Sequence, residues 1–323
     1  MSQEIIKVED VLIDDSRFTM QGYLFEPVIA LSCHINSFDT LGILYPVIVY
    51  RDDKSQLHLV DGRKRVQFAR EKREKTIRAT VLPENTPVTD IITLIFCNKR
   101  HEVESSVMNK IQFICFTTSL NASVSWILQS LCIPFEFKPY GDFLNECEQI
   151  NNLPVELKQF CHEKKFSLKQ LVNLTWYPVD ILKQLVKWKS VLQLTASTMD
   201  EIATSLKDYL RLNNRSVSDF VREHDVLEIL DSSLSPREKT EKFRWLLYVK
   251  KFPTLSDINE RIEKTVKKLD LPGGIRISWD KTLENKNVNI SVDIQDQQQW
   301  HSLLNKIKSE EVKKAVKSIL EKL

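Results

Sequence analysis

The residue types and spacing best suited to chemistry begin at Asp61-Gly62-Arg63-Lys64-Arg65. A glycine permits a tight turn in which backbone N–H groups face outward. A helix opening directly after it offers unpaired N–H donors and a positive dipole end. Lysine and arginine add charge-assisted hydrogen bonds. Together these make a phosphate cradle, with Arg65 as the leading contact and Lys64 as the second. The competing reading is a hairpin exit followed by a solvated cationic first turn. Cations in a first turn oppose the helix dipole, which favours an anionic partner, phosphate or nucleic acid.

Other candidates are weaker. Arg100 and His101 precede Glu102 and Glu104, and a bound magnesium ion would need such oxygen ligands; an ordinary capping cluster explains them as well. Gly42 has the setting of a helix C-cap. Pro46 shapes backbone more readily than it touches a ligand. Lys164, Lys165, Lys183, Lys187 and Lys189 suit contacts to a nucleic-acid backbone without sequence reading, and solvated helix faces account for them nearly as well. His58 and His162 have no Cys or Asp partner by spacing and read as structural or surface residues. Trp176, Trp188, Trp245 and Trp279 read as core or interface. The six cysteines form no C-x-x-C pair, which suggests reduced, mostly buried thiols of a cytosolic protein rather than a zinc site.

The elements that position these residues follow from pattern. Only 6 glycines and 11 prolines occur among 323 residues, so helix should dominate. Charge is nearly balanced, 46 basic against 44 acidic residues, so only a local cluster can speak for a polyanionic partner. Residues 1–15 are acidic and mixed, unlike a signal peptide, and no apolar run reaches the ~18 residues of a membrane span. A soluble, cytoplasmic protein is expected. Residues 35–42 read as a short helix ending at glycine, 45–50 as a β-branched strand, 51–54 as a turn and 56–60 as its hairpin partner. Asp61-Gly62 breaks that strand; a helix and an alternating strand over 76–82 follow. From Pro87 to about residue 230 the pattern is helical, with capping boxes at Ser167–Gln170 and Ser216–Asp219. A charged helix over 232–251 and another over 255–269 lead to two alternating strands, around Ile275–Trp279 and Val288–Ile294, and then to closing helices. The expected fold class is α+β, in three domains: α/β over 1–90, all-helical over 91–230, and a small α-β-β-α unit over 231–323.

The order SFDTLGILYPVIVY, LHLVDGRKRVQFA, IRATVLP resembles the N-terminal domain of the ParB family, whose fold is shared with sulfiredoxins. Ser37, Gly42 and Pro46 align with the first family motif. Gly62, Arg63, Lys64, Arg65 and Ala69 occupy the second, G-E-R-R-x-R-A, with Arg63 where glutamate is expected. Phe96-Cys97-Asn98-Lys99-Arg100 stands where E-N-x-Q-R is expected, keeping Arg100 in register. NLPVELKQFCHEKKFSLKQLVNL and SVSDFVR resemble later parts of the family's helical region. The helix-turn-helix should lie near residues 118–134. That stretch is rich in Trp, Leu, Ile and Cys and lacks the polar, basic recognition helix whose Arg, Lys, Asn or Gln usually read base edges, so it is expected to be degenerate. GIRISW, a polar loop and NVNISVDI resemble the family's C-terminal dimerisation domain. The sulfiredoxin signature is absent, since Arg63 rather than Cys follows Gly62.

The resemblance implies a CTP-binding switch with Mg2+ in the first domain. Gly42, Pro46, Asp61, Gly62, Arg63, Lys64, Arg65 and Arg100 would form the nucleotide site, and Glu102 and Glu104 are the nearest metal candidates. It also implies a C-terminal homodimer, DNA and a ParA-like ATPase as partners, and location on a nucleoid or plasmid. Weak or absent CTPase activity is expected, because the usual acidic residues are replaced. Two other readings stay open: a nuclease, kinase or nucleotide hydrolase of the same fold, and a non-catalytic interaction adaptor that has lost nucleotide and base reading.

Overall fold

The structure, a computed structural model, describes residues 2–13, 17–18, 20, 24–25, 41–294 and 297–323. Ser37, Cys33 and all but the end of the helix expected over 35–42 lie outside the described residues. The fold is mixed α+β: an N-terminal sheet, a central helical region and a small C-terminal β/α segment.

Strands β1 (Ser2–Lys7), β2 (Val11–Leu12), β3 (Val47–Arg51), β4 (Leu57–Asp61) and β5 (Thr76–Leu82) form one sheet in the order β1-β5-β3-β4-β2. β3 runs antiparallel to β4 and parallel to β5, so it is central. Its Val47 and Val49 point into the core and are fully buried. The turn expected over 51–54 forms: the Asp52 carboxylate accepts from the amides of Lys54 and Gln56 at 3.0 and 2.7 Å, and Ser55 takes the left-handed conformation. Helix α1 (Arg63–Glu71) crosses from β4 to β5. Its Val66 and Ala69 are fully buried in the sheet's core with Val47, Val49, Leu59 and Ala79. Burying a valine side chain contributes about 1.5–3 kcal/mol, so two apolar positions spaced by three hold a short, otherwise polar helix on the sheet.

The helices that follow are α2 (Val88–Val103), α3 (Val107–Ser119), α4 (Val124–Ile127), α5 (Phe143–Asn151), α6 (Val155–Glu163), α7 (Leu168–Thr175), α8 (Val179–Trp188), α9 (Ala196–Asn213), α10 (Val217–Val221), α11 (His224–Leu230), α12 (Pro236–Lys251) and α13 (Pro253–Lys267). Both expected capping boxes are present, at Ser167–Gln170 and Ser216–Asp219, and Ser235–Glu238 adds a third. Prolines precede the first residue of α2, α6 and α8, where the preset φ suits a helix start. The helix opened by the Ser216 capping box ends at Val221, and α11 follows as a separate helix.

Strands β6 (Ile275–Trp279) and β7 (Val288–Val292) pair antiparallel, Ile277 opposite Ile290. Helices α14 (Gln297–Ile307) and α15 (Glu310–Leu320) close the chain. The α-β-β-α order read from the sequence is thus observed, and both closing helices form. Ile277 packs with Ile262 of α13 and with Val312, Ala315 and Ile319 of α15.

The chain divides into two compact units, Met1–Lys189 with Thr195–Asp200, and Ser190–Leu194 with Glu201–Leu323. The expected boundary at 90 falls inside the first unit, where α2 follows directly on the sheet, and the one at 230 falls inside the second. Among the described residues no helix is long and apolar enough to cross a membrane. Cys132, Cys147 and Cys161 are buried and Cys97 is exposed, all as free thiols.

Candidate functional site

The candidate site is built on the junction from β4 to α1. Gly62 caps α1 with φ +103° and ψ 27°, a left-handed conformation that L side chains rarely adopt. Space enforces the same choice. A Cβ at Gly62 would lie 2.9 Å from Val47 Cγ1 and 3.1 Å from Arg65 Cζ. The glycine therefore lets helix α1 start hard against β3. It supplies no side-chain cap to the first-turn amides of α1, which leaves that end able to receive an anion.

The cations of the sequence run part company here. Arg65 turns back over the junction. Its Nη2 donates to Asp61 Oδ2 at 2.8 Å, and its Nη1 donates to the carbonyls of Tyr45, at 3.3 Å, and Pro46. Arg63 donates to the Ile13 carbonyl at 2.8 Å. Lys64, between them, is exposed and makes no ion pair among the described residues. One helical step separates each from the next, so three adjacent cations must point in three directions.

The segment before β3 is held from two sides. Arg65 takes the carbonyls of Tyr45 and Pro46, while Arg78 of β5 donates to those of Ile43 and Leu44 at 3.3 and 3.1 Å. Arg78 was missed by sequence reasoning, because backbone carbonyls as acceptors leave no trace in residue types. Gly42 stands at the start of this segment with φ +66°, consistent with a C-cap, and is exposed. Leu41, Leu44 and Tyr45 are 61%, 54% and 75% exposed, so the held segment presents an apolar, aromatic surface.

From α2, Asn98 reaches Asp61 Oδ2 at 3.5 Å. Asn98, not Arg100, is therefore the residue of the third motif that the structure brings to Asp61 and Arg65. Arg100 pairs instead with Glu104 at 3.1 Å, and Lys99 with Glu102 at 3.0 Å. Both metal candidates are thus engaged along their own helix end. Among the described residues no group of three or more His, Cys, Asp or Glu side chains converges as a metal site.

His58 differs from the expectation of no acidic partner. Its Nε2 lies 3.0 Å from Asp52 Oδ2, both largely buried. The hairpin, not sequence spacing, makes the pair. The hydrogen bond from His58, with those from the Gln56 and Lys54 amides, holds the Asp52 carboxyl below its usual range. His162 is buried, 2.7 Å from Ser106 Oγ, in keeping with a structural role.

Residues 107–132 do form a helix, a turn and a second helix. α3 ends at Ser119, Asn121 makes the left-handed turn residue, and Ser123 caps α4, which runs on as a π-turn over Leu128–Cys132. The exposed positions of that second helix are Val124, Ser125, Gln129 and Ser130, followed by Ile133. No cation stands among them. Lys164, Lys165, Lys183, Lys187 and Lys189 are exposed, without ion pairs among the described residues; Lys164 Nζ lies 6.0 Å from the Phe160 ring centroid.

Neither a protein-family model nor a curated protein matches the chain.

Proposed function

We propose that this protein is a divergent ParB-like, DNA-associated homodimer whose N-terminal unit takes a nucleoside triphosphate, CTP by resemblance, at the amino end of α1. The observation that carries the reading is Gly62. Its left-handed geometry opens an uncapped helix end, with Lys64 exposed on its first turn. In this reading Lys64 and the first-turn amides hold the phosphates. Arg65 is a positioning residue that keeps the Tyr45–Pro46 segment in place, and the exposed Leu44 and Tyr45 lie where a base would pack. Asp61 and Asn98 flank the phosphates, and Mg2+ would be held by phosphate oxygens and water with at most one carboxylate. Such an ion needs no all-protein cage.

DNA association rests on the exposed Lys164, Lys165, Lys183, Lys187 and Lys189, which make no ion pair among the described residues, with backbone contacts rather than base reading. Dimer formation rests on β7. Ile290 lies opposite the buried Ile277 yet is 37% exposed, and Ile294 and Trp300, later in the chain, are 41% and 45% exposed. A second copy would cover them. A ParA-like ATPase partner and a nucleoid or plasmid location come with the reading.

The test is DNA retention by the full chain at two salt concentrations, with and without CTP and Mg2+. A steep loss of affinity with salt and a change on adding nucleotide are expected. DNA binding that ignores both would refute the reading. An adaptor role has its own support, because Arg63 and Arg65 are already bonded to the protein's own backbone; it predicts no response to any nucleotide.

A further inference from the structure

Residues 164–189 carry six lysines, at 164, 165, 169, 183, 187 and 189, against one acid, Asp180. Their local charge of +5 exceeds the +2 of the whole chain. All six lysines are exposed, and none makes an ion pair among the described residues. Lysines elsewhere do find carboxylates: Lys250 pairs with Glu223 and Asp225, and Lys251 with Asp208. The single acid of the run stands in the first turn of α8, where its Oδ1 accepts from the Ile181 amide at 2.9 Å. The run therefore leaves its positive charge for an outside anion.

Trp176 stands in the middle of this run and, at 68%, is the most exposed of the six tryptophans. It is the C-cap of α7 in helical conformation, its amide donating to the Asn173 carbonyl at 3.2 Å. Lys169, Asn173 and Trp176 recur at spacings of four and three, which puts them on one helix face. Lys169 lies about 10 Å of helix before the indole. Beyond the turn at Tyr177 and Pro178, the exposed Val179, Lys183 and Lys187 recur every four residues along α8, in steps of about 6 Å. The turn itself is anchored, because the Tyr177 hydroxyl donates to Asp200 Oδ1 at 2.7 Å. An indole is thus held at the elbow between two helices that each present lysine.

The apolar side of these helices is already used. Leu171, Leu174, Ile181, Leu182, Leu185 and Trp188 are each at most 4% exposed. A helix that lies on a membrane keeps a whole apolar face for the acyl boundary, and here only Trp176, Pro178 and Val179 remain outside. One flat ring among ammonium groups fits a polyanion that carries flat rings of its own, a nucleic-acid strand. In a duplex the base faces are stacked on one another, so a surface indole meets only backbone. In a single strand the bases are free to stack on an aromatic side chain while lysines meet the phosphates.

We propose that the Trp176 elbow between α7 and α8 is a single-stranded nucleic-acid site, where one unpaired base stacks on the indole and the lysines on either side meet the flanking phosphates. The inference rests on the DNA association proposed above and narrows its ligand: the lysines alone hold a duplex, and the lysines with the indole hold a single strand. Stacking of this kind tolerates any base, so no base-reading helix is required.

The test is fluorescence anisotropy on the full chain with an end-labelled oligothymidylate and a labelled duplex of the same length, using polyglutamate and phosphatidylserine vesicles as competitors. Oligothymidylate should bind about tenfold tighter than the duplex, the scale of one base stacked on an aromatic ring. Trp176→Ala should remove that advantage and Trp176→Phe should keep part of it, both with unchanged duplex affinity and helical circular dichroism. Lys183→Ala should weaken both nucleic acids and lower the salt slope by about one. Equal affinity for the two nucleic acids, or oligothymidylate binding indifferent to Trp176→Ala, would overturn the inference. So would displacement by polyglutamate or by the vesicles as effective as that by unlabelled oligothymidylate. In any of these cases salt-sensitive duplex binding would leave the DNA reading standing, whereas no binding of either nucleic acid would overturn both.

Discussion

Replacing Gly62 by alanine tests the geometry on which the candidate site depends. Two penalties add. The residue has φ +103°, where an L side chain costs roughly 1–3 kcal/mol. The new Cβ would stand 2.9 Å from Val47 Cγ1, about 0.6 Å inside the ~3.5 Å onset of comfortable carbon contact. Val47 is fully buried in the central strand, so relief requires movement of β3 or α1, at about 1–3 kcal/mol for an overpacked site. The gain from restricting the unfolded chain is only about 0.4–1 kcal/mol. The net loss is then roughly 1–5.6 kcal/mol. Because the chain has two compact units, a site-resolved readout is preferable to a single melting curve. Native-state hydrogen exchange serves this purpose. Amides of β3, β4 and α1 should exchange at least about fivefold faster in Gly62→Ala, tenfold corresponding to ~1.4 kcal/mol. Gly141→Ala is the control, since nothing lies within 4 Å of a Cβ there, and its exchange should stay within about threefold. Gly62→Ala exchanging within threefold of wild type would refute the argument from φ and Val47.

The remaining predictions concern acid, thiols and a cap. The folded Asp52 carboxyl is held below its ordinary range by His58, so the stability it contributes is fully present above the unfolded value near ~3.9 and fades as pH falls through the folded value; Asp52→Asn should flatten that part of the acid-denaturation curve, and an unchanged curve would disprove the linkage. Burial raises the thiols of Cys115 and Cys161 to about 12 and of Cys132 to about 11, while Cys97 is exposed; peptide mapping after brief alkylation at pH 8 should find Cys97 modified well before these three. Ser235→Ala removes the capping box of α12 and should lower stability by about 0.5–2 kcal/mol in urea unfolding, which a shift under 0.3 kcal/mol would contradict.

The sequence reveals these features unevenly, and the reasons are physical. The strands at 45–50, 56–60 and 76–82 were readable because alternating β-branched residues fit a half-buried sheet, and Asp-Gly marks the only abrupt break between them. The helix starts at Ser167 and Ser216 were readable because a capping box is a local device four residues long. Partners made by folding left no such mark. His58 meets Asp52 only after the hairpin closes, and Asn98 reaches Asp61 only because α2 lies over the end of β4. Arg65 drew attention as a cation, but the acceptors it finds are mostly backbone carbonyls, which every residue type carries. Trp245 drew only the reading of core or interface, since its stacking on Tyr248 exists only in three dimensions.

The central claim is that the amino end of α1 holds a triphosphate, and calorimetric titration of the full chain with each of the four ribonucleoside triphosphates in Mg2+ tests it most directly. The account predicts saturable binding at one site per chain, strongest for CTP. Lys64→Ala should weaken it at least about tenfold, the scale of one charge-assisted hydrogen bond to phosphate, while Lys183→Ala leaves it unchanged. No binding by any of the four, or binding that Lys64→Ala does not weaken, would contradict it.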